Sequence, residues 1–193
     1  MKPLTRPANL GLFVAFATLM IATRFHHFGT VIHLPDASMA LFFLGGLYLR
    51  KHWQFAAYLG LAVVIDWIAI DYAGVSDFCV TPAYSFLLPA YAVLWYGGRL
   101  YADRLQVGWA PMLGAAGVGL VSASLSFAIS NGAFYWLGGR YAEPHFAEYL
   151  ARAWQWGPLF VRTTMAYIVV ALAVHALVAW ALRGRIGQWP AGV

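Results

Sequence analysis

Apolar residues along this chain fall into six runs, broken by short polar or basic stretches. The first run extends from about Ala8 to Thr23 and is followed by a polar connection from Arg24 to Asp36 that holds His26, His27 and His33. The second, Ala37 to Leu49, is short for a full crossing and is stopped by Arg50-Lys51-His52. The third covers about Trp53 to Ile70, with Asp66 inside it and Asp71 just beyond its end. The fourth begins near Pro82, a favourable first-turn residue for a helix, and closes at Tyr96-Gly97-Gly98-Arg99. The fifth, about Met112 to Leu137, is rich in Gly, Ala and Ser, the small residues that let helix backbones approach closely inside a bilayer. The sixth runs from about Trp156 to Leu182, and the segment Phe146 to Trp154 before it reads as a separate short amphipathic helix at the membrane interface.

Composition agrees with this pattern. Hydrophobic residues make up 62% of the chain and charged ones 10%, against roughly half and a quarter in an average soluble domain. With about 20 residues needed to cross a hydrocarbon core about 30 Å thick, the chain of 193 residues has room for six spans and no separate soluble domain. The expectation is an all-α membrane protein, a single six-helix transmembrane domain over residues 1–193.

The net charge of +5 would suggest nucleic acid in a soluble chain, but here the basic residues cluster at the ends of apolar runs. Taking connections alternately, one face receives Lys2, Arg6, Arg50, Lys51, Arg99, Arg104, Arg183 and Arg185, and the other only Arg24, Arg140 and Arg152, with Arg162 in or near the membrane. The richer face is cytoplasmic by the positive-inside rule, which puts both termini inside. The first connection, the stretch around Cys79 and the long 138–155 connection then gather outside.

Cys79 is the only cysteine, so no internal disulfide or cysteine-pair metal site exists. One reading makes it a small buried hydrophobe. The other starts from its place in a connection, just ahead of a helix N-terminus that favours the thiolate. A thiolate suits a soft or borderline transition metal, including cobalt in a corrin ring.

His27 and its neighbours are either a ligand or hydrogen-bond donor, or interfacial side chains at the membrane surface. His175, the only histidine deep in a span, reads as a satisfied bundle residue. Asp66 is costly inside a span and calls for a partner or a polar cavity; Arg162, at similar depth, is the expected ion-pair partner, and the alternative is that one of the two lines a pocket. Tyr84 and Arg152 would face the same outer side and donate to amides or phosphate. No phosphate loop with its lysine, His-Glu-x-x-His helix or Gly-x-Ser-x-Gly elbow is present, so ATP hydrolysis is excluded from this chain.

Six short-looped spans, Arg24-Phe25-His26-His27 after the first and Asp77-Phe78-Cys79-Val80-Thr81-Pro82 before the fourth resemble the substrate-binding S-components of energy-coupling-factor (ECF) vitamin transporters. The likeness is to their BtuM-like, cobalamin-specific group in Gram-negative bacteria. The resemblance implies a multi-pass protein of the bacterial inner membrane that binds and takes up cobalamin near the external face. It implies Cys79 as the axial cobalt ligand, and thiol-dependent decyanation of cyanocobalamin is then a second activity; the residues read above, His27, Asp66, Tyr84 and Arg152, are the candidates to join Cys79 in the ligand site. Cobalamin is then the bound substrate, with no separate cofactor. S-components that share an ECF energising module present Ala-x-x-x-Ala on the first helix. Here the nearest pairs are Gly11-x-x-x-Ala15 and Thr18-x-x-x-Ala22, of the right spacing and different identity, so the chain works either with such a module or alone. Two readings from other classes stand beside this one: a membrane thiol enzyme with Cys79 as nucleophile or redox group, and an accessory membrane subunit.

Overall fold

The computed structural model describes residues 4–24 and 34–186, with the side chains of Cys79 and of 183–186 excepted. His26, His27 and His33 lie outside the described residues. Within them the chain forms α1 (Arg6–Arg24), α2 (Ser38–Tyr48), α3 (His52–Ala73), α4 (Leu87–Tyr101), α5 (Trp109–Leu137) and α6 (Phe146–Ile186), and no strand. Four of them, α1, α3, α5 and α6, are long and apolar enough to cross a membrane.

The exposed surface of these four helices is itself apolar. Val14 on α1, Val64 and Trp67 on α3, Val121 and Leu125 on α5, and Val170, Val174 and Leu177 on α6 are all exposed. A soluble monomer does not carry apolar patches of this extent, whereas a helix whose backbone polar groups are all paired internally can present them to lipid.

At the centre lies α2. Every residue of this helix except Met39 is buried, and it packs against all five other helices. Its tightest neighbour is α4, and glycine makes that approach possible: a Cβ on Gly46 would collide with the Trp95 carbonyl, and one on Gly98 with the Phe43 carbonyl. With 11 residues, α2 is about 16 Å long, roughly half the hydrocarbon thickness. It fills one half of the bundle axis and leaves the other half to be enclosed by its longer neighbours.

The fourth run does start at Pro82, but its first five residues, Pro82–Phe86, wind as a 3-10 helix before α4 begins. Pro89 has no N–H to give the Ser85 carbonyl, so the α-helical bond at that step cannot form, and the tighter winding takes its place. The separate interfacial helix expected over Phe146–Trp154 is not found. Those residues are the first turns of α6, a continuous helix of 41 residues that passes through Pro158. Such a helix is about 60 Å long, twice the hydrocarbon thickness, so part of it stands clear of the bilayer.

Candidate functional site

Where α2 stops short, a cavity of about 550 Å³ opens. Its floor is the N-terminal end of α2, with Pro35, Asp36 and Met39; its walls come from α3, α4, α5 and α6. Met39, the one residue of α2 that is not buried, lines this space. The walls are mainly apolar, with Ile70, Leu87, Phe127, Phe134 and Phe160 among them, and Ser126, Ser130, Asn131, Thr163 and Thr164 add a polar strip on the α5–α6 side. A largely apolar cleft of this size with a few placed polar groups is what small-molecule sites look like.

The charged groups sit at the floor. Arg24, the last residue of α1, presents its guanidinium side-on to Asp66 of α3: Nε donates to Oδ1 at 2.7 Å and Nη2 to Oδ2 at 2.7 Å. Its Nη1 donates to Ser38 Oγ and to Tyr91 Oη, each at 2.9 Å, and lies 3.6 Å from Asp36. The Tyr84 hydroxyl completes the carboxylate by donating to Asp66 Oδ2 at 2.6 Å. Asp36 in turn accepts from the Ser38 backbone N–H at 2.8 Å and from its hydroxyl at 2.6 Å, which satisfies an otherwise orphaned donor at the start of α2.

One guanidinium therefore serves two carboxylates. The Arg24 side chain is 3% exposed, and those of Asp36 and Asp66 are 19% and 17% exposed on the cavity side. Bidentate geometry with the remaining donors occupied is what lets such a group persist away from water. Against this one guanidinium the floor sets two carboxyl groups and three hydroxyls, on Ser38, Tyr84 and Tyr91.

Asp66 is thus paired and lines the cavity, but its partner is Arg24 and not Arg162. Arg162 is exposed on the outer surface of α6. Equal depth along two helices said nothing about which faces turn toward each other. Tyr84 reaches the cavity as expected. Arg152 does not line the cavity: its Nε donates to Glu148 at 3.0 Å and its guanidinium lies over the Tyr141 ring at 4.5 Å, in a separate aromatic cluster where α5 ends and α6 begins. There the Tyr135 hydroxyl bonds Glu148 at 3.0 Å and accepts from the His145 N–H at 2.9 Å. His175 is half-buried beside Tyr48, with ring centroids 5.7 Å apart, away from the cavity lining.

The backbone around Cys79 borders the same cavity, since Val75, Ser76 and Val80 line it. Gly74 caps α3 with φ of 68°, a left-handed conformation that glycine adopts without a Cβ penalty, and turns the chain into this segment. Asp77–Cys79 then forms a single 3-10 turn, and Ser76 Oγ accepts from the Phe78 N–H at 3.2 Å. Arg140, from the α5–α6 connection, fastens the turn. Its Nε donates to the Phe78 carbonyl at 3.1 Å and its guanidinium lies 5.1 Å from the Phe78 ring centroid.

Sequence reasoning did not assign Arg24, Asp36, Ser38, Tyr91 or Arg140 to the site. The need of Asp66 for a cation was legible, and Arg24 satisfied it as well as Arg162 did on position alone. Nothing in the sequence pointed to Arg140. Among the described residues no group of three His, Cys, Asp or Glu side chains is placed to hold a metal ion. Compared with known proteins, the chain matches no family model and no curated sequence.

Proposed function

We propose that this chain is a six-span protein of the bacterial inner membrane, both termini cytoplasmic, that binds cobalamin from the outer side and takes it across, with Cys79 as the axial ligand to cobalt. The observation that carries the reading is the coincidence of the half-length α2 and the Cys79 turn: the cavity above α2 is bordered by Ser76 and Val80. A lone thiolate suits a soft or borderline metal such as cobalt held in a corrin ring. Apolar and aromatic walls suit a large flat ligand, and the floor hydroxyls and carboxylates suit its peripheral amides.

Decyanation follows as ligand exchange. The Cys79 thiolate donates its electron pair to cobalt, the cobalt–carbon bond breaks, and cyanide leaves with its pair. No oxidation state changes, so no external reductant is required. Of the expected ligand residues, Asp66 and Tyr84 line the cavity, with Arg24 holding Asp66 in place, and stay in the proposed site; His27 stays in it on its place in the first connection.

The ECF module bears on the outer surface of α1. Gly11, Ala15, Thr18 and Ala22 are all exposed there, so both small-residue pairs face outward and leave a flat strip for a partner helix. Uptake with and without a co-expressed module separates the two modes.

Purified protein incubated with cyanocobalamin is expected to yield a coloured complex that co-elutes with it, with an absorption spectrum altered by thiolate coordination. Cys79→Ala is expected to lose that spectral change and the release of cyanide. A colourless protein, or an unchanged spectrum in Cys79→Ala, removes the proposal. Tyr84→Phe is expected to weaken binding while leaving the thiolate spectrum in place.

A further inference from the structure

A second cavity, of about 510 Å³, lies at the opposite end of the bundle, between the start of α1 and the α2–α3 turn. Its charged lining residues are Arg6, Arg50 and Lys51, and no acidic residue lines it. Arg50 spends part of its charge on Asp103 at 2.6 Å, but Arg6 and Lys51 are exposed at the rim. Basic residues alone would mark only a solvated face.

Two buried polar side chains make this one a site. Gln54 is 0% exposed and Tyr48 is 9% exposed. Gln54 gives its amide N–H to Asn9 at 2.8 Å, while its Oε1 and the Tyr48 hydroxyl are buried and have no hydrogen-bond partner among the described residues. Both residues line the cavity. A buried polar atom left unpaired loses its hydration with nothing in return, so an acceptor and a hydroxyl held this way beside two cations call for a ligand with complementary groups.

We infer that this cavity binds the headgroup of an anionic glycerophospholipid from the inner leaflet, the phosphate meeting Arg6, Lys51 and the Tyr48 hydroxyl, and a headgroup hydroxyl donating to Gln54 Oε1. Phosphatidylglycerol has this combination of groups. The cavity also runs into the lipid-facing surface. Leu10 lines it and is 60% exposed, and Val14, one turn further along α1, is 53% exposed, an apolar track on which an acyl chain can lie. Trp53, at the rim and 55% exposed, is the amphipathic aromatic that favours headgroup depth. Basic pockets between helices on the cytoplasmic side are the places where anionic headgroups bind. This site is independent of what the outer cavity holds.

The test is binding and thermal stability of the intact detergent-purified protein, followed by native mass spectrometry and unfolding temperature. The added probes are phosphatidylglycerol, phosphatidylcholine, or soluble glycerol 3-phosphate. Phosphatidylglycerol is expected to be retained and to raise the unfolding temperature, and phosphatidylcholine to do neither. Glycerol 3-phosphate acting as strongly as phosphatidylglycerol would overturn the lipid assignment in favour of a soluble phosphate ester. Arg6→Gln and Lys51→Gln are each expected to weaken retention about fivefold. Tyr48→Phe is expected to weaken it as well, and Arg104→Gln, on the same face but outside the cavity, to leave it unchanged. Equal losses at Arg104 and Arg6, or undiminished retention in the Arg6→Gln/Lys51→Gln protein, would overturn the site.

Discussion

Arg24 concentrates more of the interactions in this molecule than any other charged side chain at the cavity: two bonds to Asp66, one each to Ser38 and Tyr91, and an ion pair with Asp36. Removing it leaves two carboxylates without a counter-charge, so Arg24→Ala is expected to cost about 3–5 kcal/mol of stability. Arg162→Ala, which removes an exposed side chain, should stay within about 0.5 kcal/mol. Unfolding in detergent checks both, and equal losses would mean that Asp66 has been given the wrong partner. Arg140 acts on backbone and not on another charge. Arg140→Ala frees the Asp77–Cys79 turn from the α5–α6 connection and is expected to speed alkylation of Cys79 several-fold, with little change in unfolding temperature. An unaltered alkylation rate would show that the turn is held by something else. At this scale the sequence was legible where a side chain was expensive: Asp66 in a span announced a partner or a cavity, and it has both. Arg152 had no such cost at its half-buried position, and its absence from the cavity lining was not legible because an arginine near water can turn to any nearby carboxylate.

Among the elements, α2 decides the most. Its brevity was visible in the run Ala37–Leu49, bounded by Asp36 and Arg50, and the consequence is the cavity that begins where it ends. Its contact with α4 depends on two missing side chains, so Gly46→Ala and Gly98→Ala are each expected to destabilise by about 1–3 kcal/mol or more. Gly60→Ala, on α3 with open space around it, should be neutral or stabilising by up to about 1 kcal/mol. Measured together, the three separate a packing effect from helix propensity: similar values at all three positions would exclude the close α2–α4 approach as the cause. The beginning of α6 was the element read least well. Proline usually ends or bends a helix, and the polar turns before Pro158 look like a separate piece. Yet loss of one N–H leaves only the Trp154 carbonyl without its helical donor, and Trp154 is 82% exposed.

For the whole molecule, the orientation drawn from the lysines and arginines puts the Cys79 turn outside and the basic cavity inside. Because Cys79 is the only cysteine, the wild-type protein reports on the Cys79 turn directly and one substitution clears the background for any other position. A membrane-impermeant maleimide is expected to label the wild-type protein in spheroplasts. In a Cys79→Ala background, Arg104→Cys should react only after the membrane is opened. The reverse pattern would invert the topology and place the candidate ligand cavity on the cytoplasmic side.

The number of runs, the shortness of the second and the membrane class were present in the sequence, as were the approximate limits of the runs apart from the start of the sixth, which lies at Phe146 and not near Trp156. Each follows from local chemistry: a segment's transfer free energy into lipid is close to a sum over its own residues, and glycine, proline and paired basic residues stop it wherever they fall. Tertiary structure alone decided that Asp66 meets Arg24, that Arg152 belongs to an aromatic cluster between α5 and α6, that Arg140 fastens the Cys79 turn and that two cavities lie at opposite ends of the bundle. Those outcomes depend on the rotation of each helix about its own axis. That rotation is set by which small residues allow two backbones to touch, and the touching pairs here, Gly46 with Trp95 and Gly98 with Phe43, lie on different helices about fifty residues apart in the chain.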